Sequence, residues 1–394
     1  MNKPFPKVIL KSGRERSLER FHLWVFSGAI KQISGTPVDG DIVEVFGNDG
    51  RYLATGHYQQ GSIMVRIFSF KQTDAGKAFW QMKFENAISF RKALGFTENS
   101  STNVFRLIHG EGDGLPGLIV DFYNGVAVIQ AHSTGMYRHR ELFGEILMEI
   151  LPGKATAVYD KSESTLNSAE PGSGAFLKGD SGTVVVTENG NRFEVDVRQG
   201  QKTGFFIDQR ENRKLLENYC QGKRVANLFC YSGGFSVYAA RGGASSVDSV
   251  DSSAKAMKLA RINMELNFGE MENHHFFTDD VFEFLKRQTA PYDVIVLDPP
   301  AFAKHRQALG NALKAYRRLN EAAIRLLKPG GFLFTFSCSQ VVTTEDFRLA
   351  VFSAAATIGR EIRVVHQLSQ GADHPINIYH PEGEYLKGLV IYTC

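Results

Sequence analysis

The stretch RVANLFCYSGGF (residues 224–235) decides the fold. An apolar run, RVANLF, passes without a break into a turn containing the adjacent Gly233 and Gly234, and a helical pattern starts at about 234. A buried strand feeding a glycine turn at a helix N-terminus lets backbone approach a ligand closely. Beyond it the same alternation repeats. SSVDSVD, HHFFT, YDVIVLD and FLFTFS read as strands, and AKAMKLARINMELN and the segments near 280–288 and 310–327 read as helices. Strands alternating with helices predict an α/β fold of Rossmann-like type, a parallel sheet with right-handed crossovers that binds its ligand at the carboxyl ends of the strands.

The adjacent glycines do not have the G-x-G-x-x-G spacing of a dinucleotide site, and no G-x-x-x-x-G-K-[ST] phosphate loop occurs. Instead, acids stand at successive strand ends: Asp251, 18 residues beyond Gly233 and suited to a ribose diol, then Asp280, then Asp298 followed by Pro299 and Pro300. Each alone has an ordinary explanation, since glycine pairs make turns, strand-end Asp caps helices and Pro-Pro stops a strand. Their register at four successive strand ends is difficult to assign to capping alone.

Upstream, DIVEVFG, RYLATGHY and SIMVRIFSF, separated by GNDG and QQGS, predict a small β-rich module from Lys7 to about Phe70. Residues 72–95 shift to helical spacing. FRLIHGEGDGLPGLIVDFYNGVAVIQA predicts two strands around a turn cluster, with a helix near 136–150 to follow. SESTLNSAEPGSG (162–174) reads as loop, and the Asn-Gly in TVVVTENGNRFEVDV as a hairpin turn. Three parts are expected: 1–75, an α+β middle domain at 76–188, and 189–394.

With 394 residues, 43% hydrophobic and 22% charged, the chain is neither disordered nor collagen-like. It lacks an apolar run of membrane-spanning length and an apolar signal-peptide core, so no membrane partner and a cytoplasmic location are expected. Cys220, Cys230, Cys338 and Cys394 form no CxxC or Cys/His cluster, which predicts reduced thiols and no metal. Net charge is only +3, yet residues 1–31 hold seven Lys/Arg (Lys3, Lys7, Lys11, Arg14, Arg16, Arg20, Lys31) against Glu15 and Glu19. That patch suits a phosphate backbone, with Lys11 and Arg14 as candidate contacts, although a solvated face has the same composition.

Taken together, these strings resemble class I S-adenosylmethionine-dependent methyltransferases, with NLFCYSGGF as motif I, Asp251 in motif II, Asp280 in motif III and DPPAF as motif IV. RQGQKTGFFIDQRENR (198–213), FSCS, ADHP and PEGEYLKGL further resemble the bacterial large-subunit ribosomal RNA cytosine-C5 methyltransferase I family. HLWVFSGAI with GHYQQGSIMVRI resembles that family's PUA RNA-binding module, and FRLIHGEGDGLPGLIVD its middle domain. The resemblance spans nearly the whole chain. It implies an N-terminal PUA-like module, a C-terminal class I methyltransferase domain, S-adenosylmethionine as cofactor and ribosomal RNA, as subunit or assembly intermediate, as partner. Cofactor contacts would fall on Asn227, Phe229, Tyr231, Ser232, Gly233, Gly234, Asp251, Asp280, Phe206 and Gln209, and substrate contacts on Lys202, Arg210, Pro299 and Pro300. One departure is SESTLNSAEPGSG, where family members carry a basic run. The oligomeric state is open, a homodimer included.

C5 of cytosine is a poor nucleophile, and a thiolate adding at C6 makes it enamine-like. One cysteine near the methyl donor is therefore required. Cys338, after FTFS and flanked by Ser337 and Ser339, fits that demand. Cys230 lies inside the glycine turn and reads as cofactor wall, while Cys220 and Cys394 read as structural or incidental. Asp298 is the second catalytic candidate, hydrogen-bonding the cytosine edge or handling a proton near N3. Because acidic-Pro-Pro turns also hold exocyclic amines, methylation of guanine N7 or an amine stays open, as does a non-catalytic role in ribosome assembly.

Overall fold

The alternating N-terminal runs form a sheet in the computed structural model, which describes residues 4–151, 153–166 and 174–394. Lys3 and residues 167–173 of the expected loop lie outside the described residues. The strands are β1 (Lys7–Leu10), β2 (Trp24–Phe26), β3 (Ile30–Ser34), β4 (Ile42–Phe46), β5 (Tyr52–Tyr58) and β6 (Ile63–Ser69), with the short helix α1 (Arg16–Glu19). They order as β2-β6-β5-β4-β1-β3, with β1 and β4 parallel and the other neighbours antiparallel. Val8, Val43, Val45, Ala54, Val65 and Ile67 fill the interior, one face of each strand supplying it by alternation.

Helix α2 (Lys77–Ala93) buries Trp80, Phe84 and Ala87. The next segment makes three strands, β7 (Val104–His109), β8 (Leu118–Tyr123) and β9 (Val126–Ala131), where the sequence reading expects two. The extra reversal is at Asn124-Gly125, whose φ of 42° and 98° allow a two-residue hairpin pairing Tyr123 with Val126. The single expected helix divides at His139 into α3 (Thr134–Arg138) and α4 (Arg140–Ile150). With β10 (Ala157–Asp160) and β11 (Ala175–Lys178), the sheet order is β11-β10-β9-β8-β7. β12 (Val184–Glu188) and β13 (Asn191–Val195) then turn at Asn189-Gly190, with φ of 49° and 80°.

The chain divides into two compact units: residues 1–186, 195–207 and 372–383, and residues 187–194, 208–371 and 384–394. The second contains α5 (Arg210–Glu217), β14 (Arg224–Leu228), α6 (Gly234–Arg241), β15 (Ser246–Asp251), α7 (Ala254–Phe268), β16 (His274–Thr278), α8 (Val281–Arg287), β17 (Tyr292–Leu297), α9 (Leu309–Leu326), β18 (Leu327–Ser337), α10 (Thr344–Ile358), β19 (Ile362–Leu368) and β20 (Lys387–Thr393). Its seven-stranded sheet orders as β16-β15-β14-β17-β18-β20-β19. Central strands are buried on both faces. In β17, Val294 and Val296 join the core with α5 and α6, and Ile295 and Leu297 join the core with α8, α9 and α10.

The five strands of the expected alternation, β14 to β18, are parallel to their neighbours, and β20, outside that alternation, runs antiparallel to both β18 and β19. No helix crosses the sheet between β19 and β20, so the chain returns in the opposite direction. The strand order reverses on either side of β14, which puts a crevice at the carboxyl ends of β14 and β17. No helix among the described residues is long and apolar enough to cross a membrane.

Candidate active site

The turn after β14 carries concentrated backbone strain. Phe229, Tyr231 and Gly233 have φ of 61°, 45° and 76°, so two residues with side chains occupy a region that favours glycine. The turn is over-determined by its neighbours: Cys230 N–H donates to Val250 O at 3.0 Å, Gly233 N–H to Cys230 O at 2.8 Å, and Asn263 Nδ2 to Ser232 O at 2.9 Å. A Cβ on Gly233 would stand 3.1 Å from that of Ala260, so α7 requires glycine there. Gly234 opens α6.

Asp251 closes the turn from the next strand. Its Oδ2 accepts the Tyr231 N–H at 3.0 Å and its Oδ1 the Ser253 N–H at 2.9 Å. An ionised carboxylate offers about four acceptor sites, so two remain for hydroxyl donors. Buried Asn227 donates to Ser236 Oγ at 2.9 Å, while its Oδ1 has no hydrogen-bond partner among the described residues. These residues fit a nucleoside-bearing cofactor: a left-handed turn packed closely against Ala260 at Gly233, beside a carboxylate with spare acceptor capacity. Exposed Asp280 caps α8, accepting from Phe282 N at 2.9 Å and Glu283 N at 3.1 Å.

β17 and β18 are parallel neighbours, pairing Leu297 with Thr335, which sets Asp298-Pro299-Pro300 beside Cys338. The Cys338 Sγ is 3.9 Å from the Pro299 carbonyl oxygen and half-buried. The other thiols differ. Burial pushes Cys220 up to about 12, and burial with the Asp251 charge pushes Cys230 well above the ordinary thiol range. Cys230 Sγ instead packs 3.6 Å from Met257 Sδ, and Cys394 is exposed at the C-terminus.

Two residues near Cys338 were not singled out from sequence. Lys387, 4% exposed, donates from Nζ to Ser339 O at 2.8 Å. Burial pulls its ammonium down, opposed by attraction to Cys338 and Glu384. The Tyr316 hydroxyl accepts from Ser337 Oγ at 2.9 Å and lies 3.2 Å from Ser339 Oγ. The available signal was a lysine beginning an otherwise apolar strand, KGLVIYT.

In the same unit, Tyr385 Oη donates to Asp208 Oδ2 at 2.6 Å and Asn212 Nδ2 to Gln209 Oε1 at 2.7 Å. Arg210 is buried, with its guanidinium 3.1 Å from Glu211. Lys202 and Phe206 belong to the first unit, where the Lys202 Nζ stands 4.5 Å over the Phe206 ring. Also in the first unit, Lys11 and Arg14 are exposed, Lys11 donating to Gly28 O at 2.9 Å and Arg14 edging a cavity of about 310 Å³ lined with Trp24 and Phe26.

Residues 105–376 match a family described as S-adenosylmethionine-dependent methyltransferase, and residues 8–70 a PUA-like domain. The chain is 40% identical over 393 residues to the ribosomal RNA large subunit methyltransferase I of Aeromonas salmonicida, and 40% identical over 394 residues to that of Shewanella amazonensis, covering 98% of each chain in both cases. Among solved structures, a Streptococcus mutans protein assigned as a SAM-dependent methyltransferase superposes with a TM-score of 0.84 at 24% identity, covering 98% of this chain and 99% of that one. A second methyltransferase structure, complexed with SAH, gives a TM-score of 0.85 at 24% identity with the same coverage. These two show the fold.

Proposed function

We propose, from the premise that this chain belongs to the S-adenosylmethionine-dependent methyltransferase family, that it methylates C5 of a cytosine in large-subunit ribosomal RNA through a covalent adduct of Cys338. Methylation of large-subunit ribosomal RNA with S-adenosylmethionine is its coarser activity. The cytosine target and the thiol adduct are the further reading.

When bound, the cofactor supplies an electrophilic methyl group on a sulfonium. Asp251 receives the ribose hydroxyls, and the left-handed turn at Phe229, Tyr231 and Gly233 brings backbone against the nucleoside, beside Asn227 and Ser232. Within the second unit, Asp280 and Gln209 complete the cofactor's surroundings and Arg210, Pro299 and Pro300 serve the RNA; within the first unit, Lys11 and Arg14 serve the RNA backbone, and Lys202 lies over the Phe206 ring.

The Cys338 thiolate adds its electron pair to C6, and the ring's displaced pair collects at C5, which takes the methyl group. Asp298 handles the proton at N3, supplying it as addition builds negative charge there and taking it back on elimination. A general base then takes the C5 proton, the C–H pair reforms the C5–C6 double bond, and the thiolate leaves with the C6–S pair. Lys387 supports the nucleophile with a buried positive charge that favours thiolate over thiol.

The observation carrying this reading is the position of Cys338: a half-buried thiol at a strand end, 3.9 Å from Pro299 O and beside a buried ammonium, whereas Cys220 and Cys230 are held as neutral thiols by burial. The test is transfer of an isotopically labelled methyl group to large-subunit RNA from cells lacking this protein, followed by digestion to nucleosides. Label in 5-methylcytidine is expected. Label in 7-methylguanosine or an N-methylated nucleoside, or none at all, would overturn the reading.

A further inference from the structure

His22, His380 and Glu382 converge within the first unit, although His22 and Glu382 are 360 residues apart in the chain. His22 Nε2 is 3.3 Å from Glu382 Oε1, and His380 Nδ1 is 3.6 Å from Glu382 Oε2. One ligand atom from each of the three lies within 4.8 Å of the others. His380 is 1% exposed, and its Nδ1 has no hydrogen-bond partner among the described residues. A buried polar atom left in that condition forgoes a hydrogen bond for which folding offers no other compensation.

Metal coordination would satisfy it. Nitrogen and oxygen ligands at roughly 2.1 Å around a tetrahedral ion stand about 3.4 Å from one another; His22 Nε2 and His380 Nδ1 lie 3.4 Å and 3.6 Å from the same oxygen, Glu382 Oε2, so two of the three separations already approach that edge length. The third, between one nitrogen of each histidine, is within 4.8 Å. Nδ1 of the His22 ring lies 3.3 Å from the Trp24 carbonyl oxygen and 3.2 Å from the Trp24 N–H, so it accepts in one tautomer, whereas the tautomer that donates Nδ1–H to the carbonyl leaves the Nε2 lone pair for an ion, the arrangement usual for metal-bound histidine. Two imidazoles and one carboxylate suit a borderline divalent ion better than a hard one such as magnesium or calcium.

We propose that His22, His380 and Glu382 form a binding site for a divalent transition-metal ion of the zinc type, its fourth position open to water, which fastens the 380–382 segment to β2. The sequence reading expects no metal because it searches for ligands at short spacing, and here the first and last ligands come from opposite ends of the chain. The site is separate from the methyl-transfer chemistry and does not depend on it.

Titration calorimetry of the metal-stripped protein with Zn(II) is expected to give one equivalent bound, and Co(II) in its place a tetrahedral ligand-field absorption. His380→Ala and Glu382→Gln should each weaken binding by at least about tenfold. Trp24, whose ring centroid is 4.4 Å from that of His380, supplies a second readout. Cu(II) should quench its emission in the wild type and not in His380→Ala, with the fully buried Trp80 as reference. Absence of zinc binding by the wild type would overturn the proposal. So would an equivalent that persists unweakened in both variants, which would place the ion on exposed thiols or elsewhere. Circular dichroism confirms that the variants are folded, and the milder Glu382→Gln keeps the test open if His380→Ala is not.

Discussion

The Cys338 Sγ lies 3.9 Å from the carbonyl oxygen of Pro299, across the ends of two parallel strands. That contact joins the thiol to the Asp298-Pro299-Pro300 turn, so the proposed nucleophile and the proposed base-holding carboxylate share one rim of the sheet. Because the rim is formed by strand ends locked in register, Leu297 with Thr335, the placement does not depend on a mobile loop.

Asp251→Ala is expected to weaken S-adenosylmethionine binding by about 1.5–3 kcal/mol, roughly ten- to a hundredfold, the range for a hydrogen bond to a charged group. The Tyr231 and Ser253 N–H groups also lose their acceptor, so a modest fall in thermal stability should accompany it. Titration calorimetry checks the affinity, and unchanged binding would remove Asp251 from the cofactor site.

Lys387→Met removes the cation buried beside Cys338 while keeping most of the side-chain volume. The thiolate loses a favourable charge, so the pH at which Cys338 becomes reactive should rise. The pH dependence of alkylation at Cys338, read by mass spectrometry, measures this independently of RNA. An identical profile in the variant would show that Lys387 does not act on the thiol.

His57 governs part of the acid stability. Its ring is buried against Phe68 and Trp80, neither nitrogen has a hydrogen-bond partner among the described residues, and burial with the nearby His139, Arg138 and Arg66 pushes it from 6.5 down to about 3. A folded-state value below the unfolded one means that the unfolded chain binds the proton first. Stability is therefore complete above pH 6.5 and falls as pH drops from there toward 3, by as much as a few kcal/mol from this one group. His57→Leu should show a smaller loss of urea stability between pH 7 and pH 4 than the wild type; an equal loss would assign the acid sensitivity elsewhere.

The α/β architecture was legible because strands buried on both faces, such as Val294–Leu297 and, interrupted only by Asn227, Val225–Leu228, read as apolar runs punctuated by Gly233 or Asp298. Direction was not: KGLVIYT reads as a buried strand in either sense, and only the missing crossover helix before it makes β20 antiparallel. Asn124-Gly125 was passed over because the apolar residues on either side are continuous. For the proposed site, spacing singled out Asp251 and Gly233, and in the structure Asp251 accepts from Tyr231 N–H, two residues before Gly233 in the same turn. The same reasoning could not weigh Asp280, where a cap and a cofactor contact demand the same residue, nor find Lys387, whose relation to Cys338 exists only through pairing of β20 with β18. The cluster of His22, His380 and Glu382 was hidden for the same reason, since no local pattern joins residues at opposite ends of the chain.

Covalent capture tests the role of Cys338 most directly. RNA carrying 5-fluorocytosine at the target should form an adduct with the wild-type protein in the presence of S-adenosylmethionine, stable to denaturing electrophoresis, because fluorine occupies the place of the proton that elimination must remove. Peptide mapping should locate the link at Cys338, and Cys338→Ala should lose both the adduct and turnover while keeping its cofactor affinity. A Cys338→Ala protein that retains more than a small fraction of methyl transfer, or a wild-type protein that turns over without ever being trapped, would contradict the mechanism.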